Sequence, residues 1–147
     1  MRKIYLDTSI ISALFDERTP ERLEMTKTAW SDIIQCDVYI SQAVIEELQT
    51  VKEPLLSKFM QTVAAFTVLD DTDEAHELAA LYVSQGIFPE RYYDDALHVA
   101  IASIDGIGIL LSWNFKHLVK VKTRRMVAVV NTAYEYLPVE IIAPPEL

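Results

Sequence analysis

The sequence predicts an α/β fold, a three-layer α/β/α sandwich around a central, mostly parallel sheet. Short apolar runs alternate along the chain with longer stretches of helical period. Helices between successive strands supply the crossovers that parallel pairing requires, and they cover the sheet on both faces. The composition agrees: 51% of the 147 residues are apolar and 24% are charged, the balance of a globular domain. With no internal repeat, low-complexity tract or Gly/Ser linker, residues 1–147 read as one domain large enough for a full core.

Taken in order, the expected strands are Lys3 to Leu6, Val38 to Ile40, Thr67 to Leu69, Ile107 to Leu111 and Val127 to Val130. Between them Glu21 to Gln35, Gln42 to Lys52, Asp73 to Gln85 and Tyr92 to Asp105 carry helical period. Pro54, Pro89 and Pro138 mark turns or first helical residues. Cys36 stands alone, without the Cys and His company of a zinc site, and reads as a small apolar side chain. Asp7 and Asp16 interrupt any signal-peptide core, and no apolar run approaches the ~18 residues of a membrane span. A cytoplasmic protein with no membrane association is expected.

The net charge of −9 argues against indiscriminate coating of nucleic acid. Its distribution is uneven, however. Lys116, Lys120, Lys122, Arg124 and Arg125 place five of the 13 Lys and Arg within ten residues. Such a patch suits a single polyanion bound in one place, or it is an ordinary solvated helix face.

In an open parallel sheet, ligands bind beyond the carboxyl ends of the strands, where strand order reverses. Asp7, followed by Thr8 and Ser9, leaves the first strand at that edge, and it is also a natural helix cap. Asn114 follows the strand "GIGILLS", which ends at Ser112, to the same edge, where polar residues also commonly make a turn. In "SQAVIEELQTV", Ser41 is a good cap. Ala43, Val44, Ile45, Leu48 and Val51 form the buried face, leaving Glu46 to solvent and Glu47 at the edge. In "DDALHVAIASI", Asp94 and Asp95 open a helix that is apolar nearly all round, with His98 one turn on from Asp95. Acids there also serve the helix dipole. If Asp7, Glu47 and Asp95 converge, the cluster suits a hard divalent cation that keeps waters and binds substrate phosphate.

The blocks "IYLDTSIIS", "ISQAVIEEL", "DDALHVAIA" and "LLSWNFKHL" stand in the order and spacing of a PIN domain. The chain resembles that family from Ile4 to the stretch near Val129. These are metal-dependent ribonucleases that include the VapC-type toxins of toxin–antitoxin pairs. The resemblance implies a PIN-like sandwich with an acidic pocket binding Mg2+ or Mn2+. Asp7, Glu47 and Asp95 match the family acids, with Thr8 or Ser9 as supporting hydroxyls and Asp94 as the alternative to Asp95. Asn114 stands where many members have Asp, so it brings an oxygen without a charge; His98 and Ser112 complete the support. The basic residues Lys116 to Arg125 would hold RNA. An antitoxin partner and a homodimer are the further implications.

A second function is a catalytically silent PIN-like module that binds RNA or a protein partner, which Asn114 and the acidic net charge favour. A third, a haloacid-dehalogenase-like phosphotransferase, wants a second acid two residues beyond Asp7, where this chain has Ser9. Dinucleotide and P-loop patterns are absent.

Overall fold

The computed structural model describes residues 1–147. Its centre is a five-stranded sheet, with strands β1 (Lys3–Leu6), β2 (Asp37–Ser41), β3 (Thr67–Leu69), β4 (Ile109–Leu111) and β5 (Glu140–Ile142). Their order is β3-β2-β1-β4-β5, and every neighbouring pair is parallel. The helices are α1 (Thr8–Ala13), α2 (Pro20–Ile33), α3 (Gln42–Leu48), α4 (Leu55–Val63), α5 (Asp73–Ser84), α6 (Tyr93–Ile104) and α7 (Val121–Ala133).

Chirality places these helices. From β1 the chain steps outward to β2 and then β3, and right-handed crossovers put α1 to α4 on one face. It then returns past β1 to β4 and β5, so the same rule puts α5 to α7 on the other. The packing agrees, since α1 touches α2, α3 and α4, while α5 lies along α6. The reversal falls between β1 and β4, which makes the crevice beyond Leu6 and Leu111 the expected ligand edge.

The local chemistry is ordinary. Ser41 caps α3 by accepting from the Val44 amide, and Thr72 caps α5 by accepting from Ala75. Gly86 and Gly106 follow α5 and α6 at φ 76° and 68°, where a residue without Cβ ends a helix at no steric cost. From Ala96 to Ser103 every residue of α6 is buried, as its nearly continuous apolar sequence requires. The strand triplet Ile4, Tyr5 and Leu6 and the β4 pair Leu110 and Leu111 are wholly buried beside it.

One expected element is corrected. Val127 to Val130 is not a strand but the middle of α7, where Val127 and Val130 face the core and Val129 faces solvent. The i, i+3 spacing of the buried pair fits a helix, and the β-branched content alone misleads. The fifth strand is instead Glu140–Ile142, beyond Pro138. Helix α4 is an element the sequence reading left out; its Phe59 and Val63 enter the core. No helix is long and apolar enough to cross a membrane.

Candidate functional site

Asp7 is built into the sheet edge. Its amide extends the ladder by donating to the Leu111 carbonyl at 3.2 Å, after which the chain turns into α1. Its carboxylate caps that helix, accepting from the Ser9 amide (3.1 Å) and the Ser9 hydroxyl (2.5 Å). The other oxygen accepts from the Ser112 hydroxyl at 2.5 Å. These serines are themselves fixed: Ser9 Oγ accepts from the Trp113 amide (2.8 Å) and Ser112 Oγ from the Asn114 amide (2.9 Å). One buried acid is therefore clamped between the ends of β1 and β4. Burial pushes the Asp7 carboxyl above its ordinary pKa, while His98 and the two hydroxyls oppose that shift.

Glu47 stands at the edge of α3, half-buried, while Glu46 is exposed. Its Oε1 accepts from His98 Nε2 at 2.8 Å. Behind it runs a directed chain. Ser41 Oγ accepts from Val44 and bonds Tyr5 Oη (2.7 Å), which bonds His98 Nδ1 (2.6 Å); with His98 neutral and its proton on Nε2, Ser41 donates to Tyr5 and Tyr5 to Nδ1. With His98 neutral, every donor in that line has an acceptor. Burial penalises charge on His98, but the hydrogen bond and charge of Glu47, with Asp7 and Asp95 behind it, raise its pKa. Burial likewise works against the Glu47 carboxylate, and His98 outweighs it, so Glu47 titrates below the ordinary value.

Asp95 lies on the first turn of α6 and accepts from Asn114 Nδ2 at 3.4 Å. Burial pushes its pKa to about 6; His98 opposes the shift, and Asp7, Glu47 and Asp94 add to it. The fields of Asp7, Glu47 and Asp95 thus overlap at one strand edge. Asp94, next along the chain, is exposed. Asn114 Oδ1 accepts from the His117 amide at 2.9 Å, which identifies the amide oxygen and turns the NH2 toward Asp95. Asn114 therefore orients an acid with its donor, and its oxygen is engaged in the turn.

The donor set fits a hard cation. Asp95 Oδ1 accepts no hydrogen bond, and the buried Thr8 hydroxyl lies beside the Glu47 carboxylate and helps to hold its pKa down. No three carboxylate or imidazole groups enclose a common point. Such an open set suits an ion that retains several waters rather than one caged by protein.

The basic stretch divides. Lys116 and Lys120 are exposed and act on His117. Arg124 is ion-paired with Glu146 at 3.1 Å near the C-terminus. Arg125 borders a groove with Gln85, Ile87, Met126 and Val129, and Lys122 is exposed on the first turn of α7. Trp113 is buried, its indole donating to Thr26 at 2.9 Å, whereas Phe115 is half in solvent. The hydrogen-bond role of Tyr5 and the cluster of Arg91, Tyr92 and His117 were missed from sequence. No local pattern marks the first; cations and aromatics flanking the acidic blocks were the only signal for the second.

Comparison with known proteins follows the same outline. The PIN domain family model matches residues 4–114. The VapC20 toxin of Mycobacterium tuberculosis, described as cleaving the sarcin–ricin loop, superposes with a TM-score of 0.56 at 19% identity, over 73% of this chain and 86% of its own. FitAB bound to a DNA fragment gives 0.65 at 17% identity, over 96% and 94%. VapBC-1 of nontypeable Haemophilus influenzae gives 0.63 at 14% identity, over 97% and 98%. No curated protein sequence matches significantly. At these identities the superpositions speak for the fold. The family match covers most of the chain, including the edge that carries Asp7, Glu47, Asp95 and Asn114, and the protein belongs to the PIN domain family.

Proposed function

We propose that the protein is a metal-dependent endoribonuclease that uses Asp7, Glu47 and Asp95 to hold Mg2+ or Mn2+. The observation that supports this reading is that Asp7, Glu47 and Asp95 act on one another electrostatically at the carboxyl edge of the sheet, with Asp95 pushed to about 6. Acids that raise one another's pKa are costly to ionise, and a cation would remove the cost. A bound ion would lower the pKa of a water and stabilise charge at phosphorus during in-line displacement. The residues of the chain supply the frame. Ser9 and Ser112 fix Asp7, His98 turns Glu47, and Asn114 turns Asp95. Likeness in fold to proteins solved as VapBC and FitAB complexes supports a toxin with an antitoxin partner, and a homodimer is a further part of this proposal.

The test is cleavage of a mixed RNA pool containing tRNA, in Mn2+ or Mg2+ and in EDTA, with Asp95→Asn alongside. Cleavage that requires both metal and Asp95 is expected. Cleavage in EDTA, or by the variant, refutes the proposal. No cleavage together with no Mn2+ binding favours the silent module, whose supporting observation is the neutral Asn114.

A further inference from the structure

Beside Asp95 lies a cluster that the acidic site does not use. Tyr92, the last residue of a 3-10 turn (Glu90–Tyr92) leading into α6, stacks on His117 from the loop after β4. Their ring centroids are 3.7 Å apart with a 32° tilt. The Arg91 guanidinium sits 5.0 Å from the Tyr92 centroid. The loop is tied to the site, because the His117 amide donates to Asn114 Oδ1 at 2.9 Å. The fields agree with that adjacency. Arg91 and then Lys116 draw the Tyr92 phenol below its ordinary pKa, and Asp95 acts on it in the opposite sense.

Arg91, Lys116 and Lys120 are exposed, and none has a carboxylate within ion-pair distance, although Arg18 and Arg124 both do. In a chain of net charge −9, unpaired cations gathered around an aromatic pair at the lip of an acidic edge call for an anion. Stacked rings beside backbone-neutralising cations are the two parts of a single-strand binding surface. In a single strand the bases are unstacked and free to lie on protein rings, whereas in an A-form duplex they are not. Burial, with Lys116, Lys120 and Arg91 around it, holds His117 below its ordinary pKa, so the ring is an uncharged aromatic at neutral pH.

We propose that His117, backed by Tyr92 and the Arg91 guanidinium over it, offers its outer face as a stacking platform for the base next to the scissile phosphate of single-stranded RNA, with Arg91, Lys116 and Lys120 flanking the adjoining phosphates. The position of the scissile phosphate rests on the ribonuclease reading; the binding surface does not.

The probes are a fluorescein-labelled oligouridylate, an oligoadenylate and an RNA duplex, titrated with the full chain in EDTA across a salt series. Tyr92→Leu is expected to weaken single-strand binding about 5- to 150-fold, with the slope of log K against log salt unchanged. Tyr92→Phe should bind like the native chain. Lys116→Ala with Lys120→Ala should lower that slope by about 1.4. Native-like single-strand binding by Tyr92→Leu overturns the proposal whatever the lysine double variant does, as does equal weakening of duplex and single strand by Tyr92→Leu. A Tyr92→Leu chain that fails to melt cooperatively leaves the decision to the lysine pair and to His117→Leu, both on the surface loop. If the native chain cleaves RNA and these variants bind and cleave as it does, the platform falls and the ribonuclease stands. If nothing cleaves but binding depends on Tyr92, the platform stands and the ribonuclease falls.

Discussion

Removing the charge of Asp95 should stabilise the metal-free protein while destroying its proposed function. Its carboxyl is shifted from 3.8 to about 6 by burial and the neighbouring acids. At about 1.36 kcal/mol per pKa unit, ionised Asp95 costs the folded state about 3 kcal/mol before screening. The side chain is only partly buried, and solvent screening reduces that to about 1.5–2 kcal/mol. Against this, an acid in the first turn of α6 gains about 0.3–1 kcal/mol from the helix dipole. The long 3.4 Å bond from Asn114 adds little, and an Asn at this position still offers an oxygen to it. Repulsion and burial win by about 1 kcal/mol, which for a chain of this size is about 2–4 °C in Tm.

The sign with pH follows. The folded pKa lies above the unfolded one, so the folded state binds the extra proton between about 4 and 6. Native stability therefore falls as pH rises through that window, and Asp95→Asn loses this component of the decline. Melts of both chains in EDTA, from about pH 4 to about pH 8, read the effect directly. The variant should melt higher near neutral pH, and the gap should close near pH 4. In Mn2+ the order should invert, because only the native chain gains the binding free energy of the ion. A variant that melts below the native chain in EDTA at neutral pH, with an unaltered pH profile, refutes the electrostatic account of Asp95.

Other substitutions probe the frame. Asn114→Asp keeps the acceptor for His117 but turns a carboxylate toward Asp95, so Tm in EDTA should drop while Mn2+ affinity, measured by calorimetry, rises. Tyr5→Phe leaves Ser41 and His98 Nδ1 without their buried partner; urea unfolding should show a loss of about 1–3 kcal/mol, with slower RNA cleavage as Glu47 loses its fixed orientation. Tyr82→Phe strips a hydroxyl that donates to Asn131 and meets Ser103 on the far side of α6. It should cost a similar 1–3 kcal/mol and leave Mn2+ affinity untouched, since that network lies apart from the acids.

The sheet was legible where burial and period agreed. The stretches Lys3–Leu6 and Thr67–Leu69 are the strands expected of them, and α3, α5 and α6 lie where their period put them. The failures have separate causes. Val127 to Val130 carries the β-branched content of a strand, yet its neighbours Thr123 and Asn131 are buried on the same helical face as Val127 and Val130. Tertiary packing of α7 overrides a weak local preference. The true edge strand, Glu140–Ile142, lies between Pro138 and the pair Pro144 and Pro145, where the prolines read as a turn.

The acids were visible for a reason the polar frame does not share. Asp7 follows a strand end, Asp95 opens a helix and Glu47 stands at the edge of the helix that follows β2, so chain position and helical face together imply the same edge. What they need in order to act comes from distant residues without local signature. Tyr5 sits in an apolar strand and reads as core, but it bonds Ser41, 36 residues on, and His98, 93 residues on. Asn114 reads from the order of the blocks as an assisting residue that brings a neutral oxygen, yet that oxygen accepts from His117 and its amide faces Asp95. The distinction has a chemical consequence. An Asp at this position would add charge to an edge where Asp95 already sits at about 6, and the neutral amide leaves that edge open instead to an ion that keeps its waters.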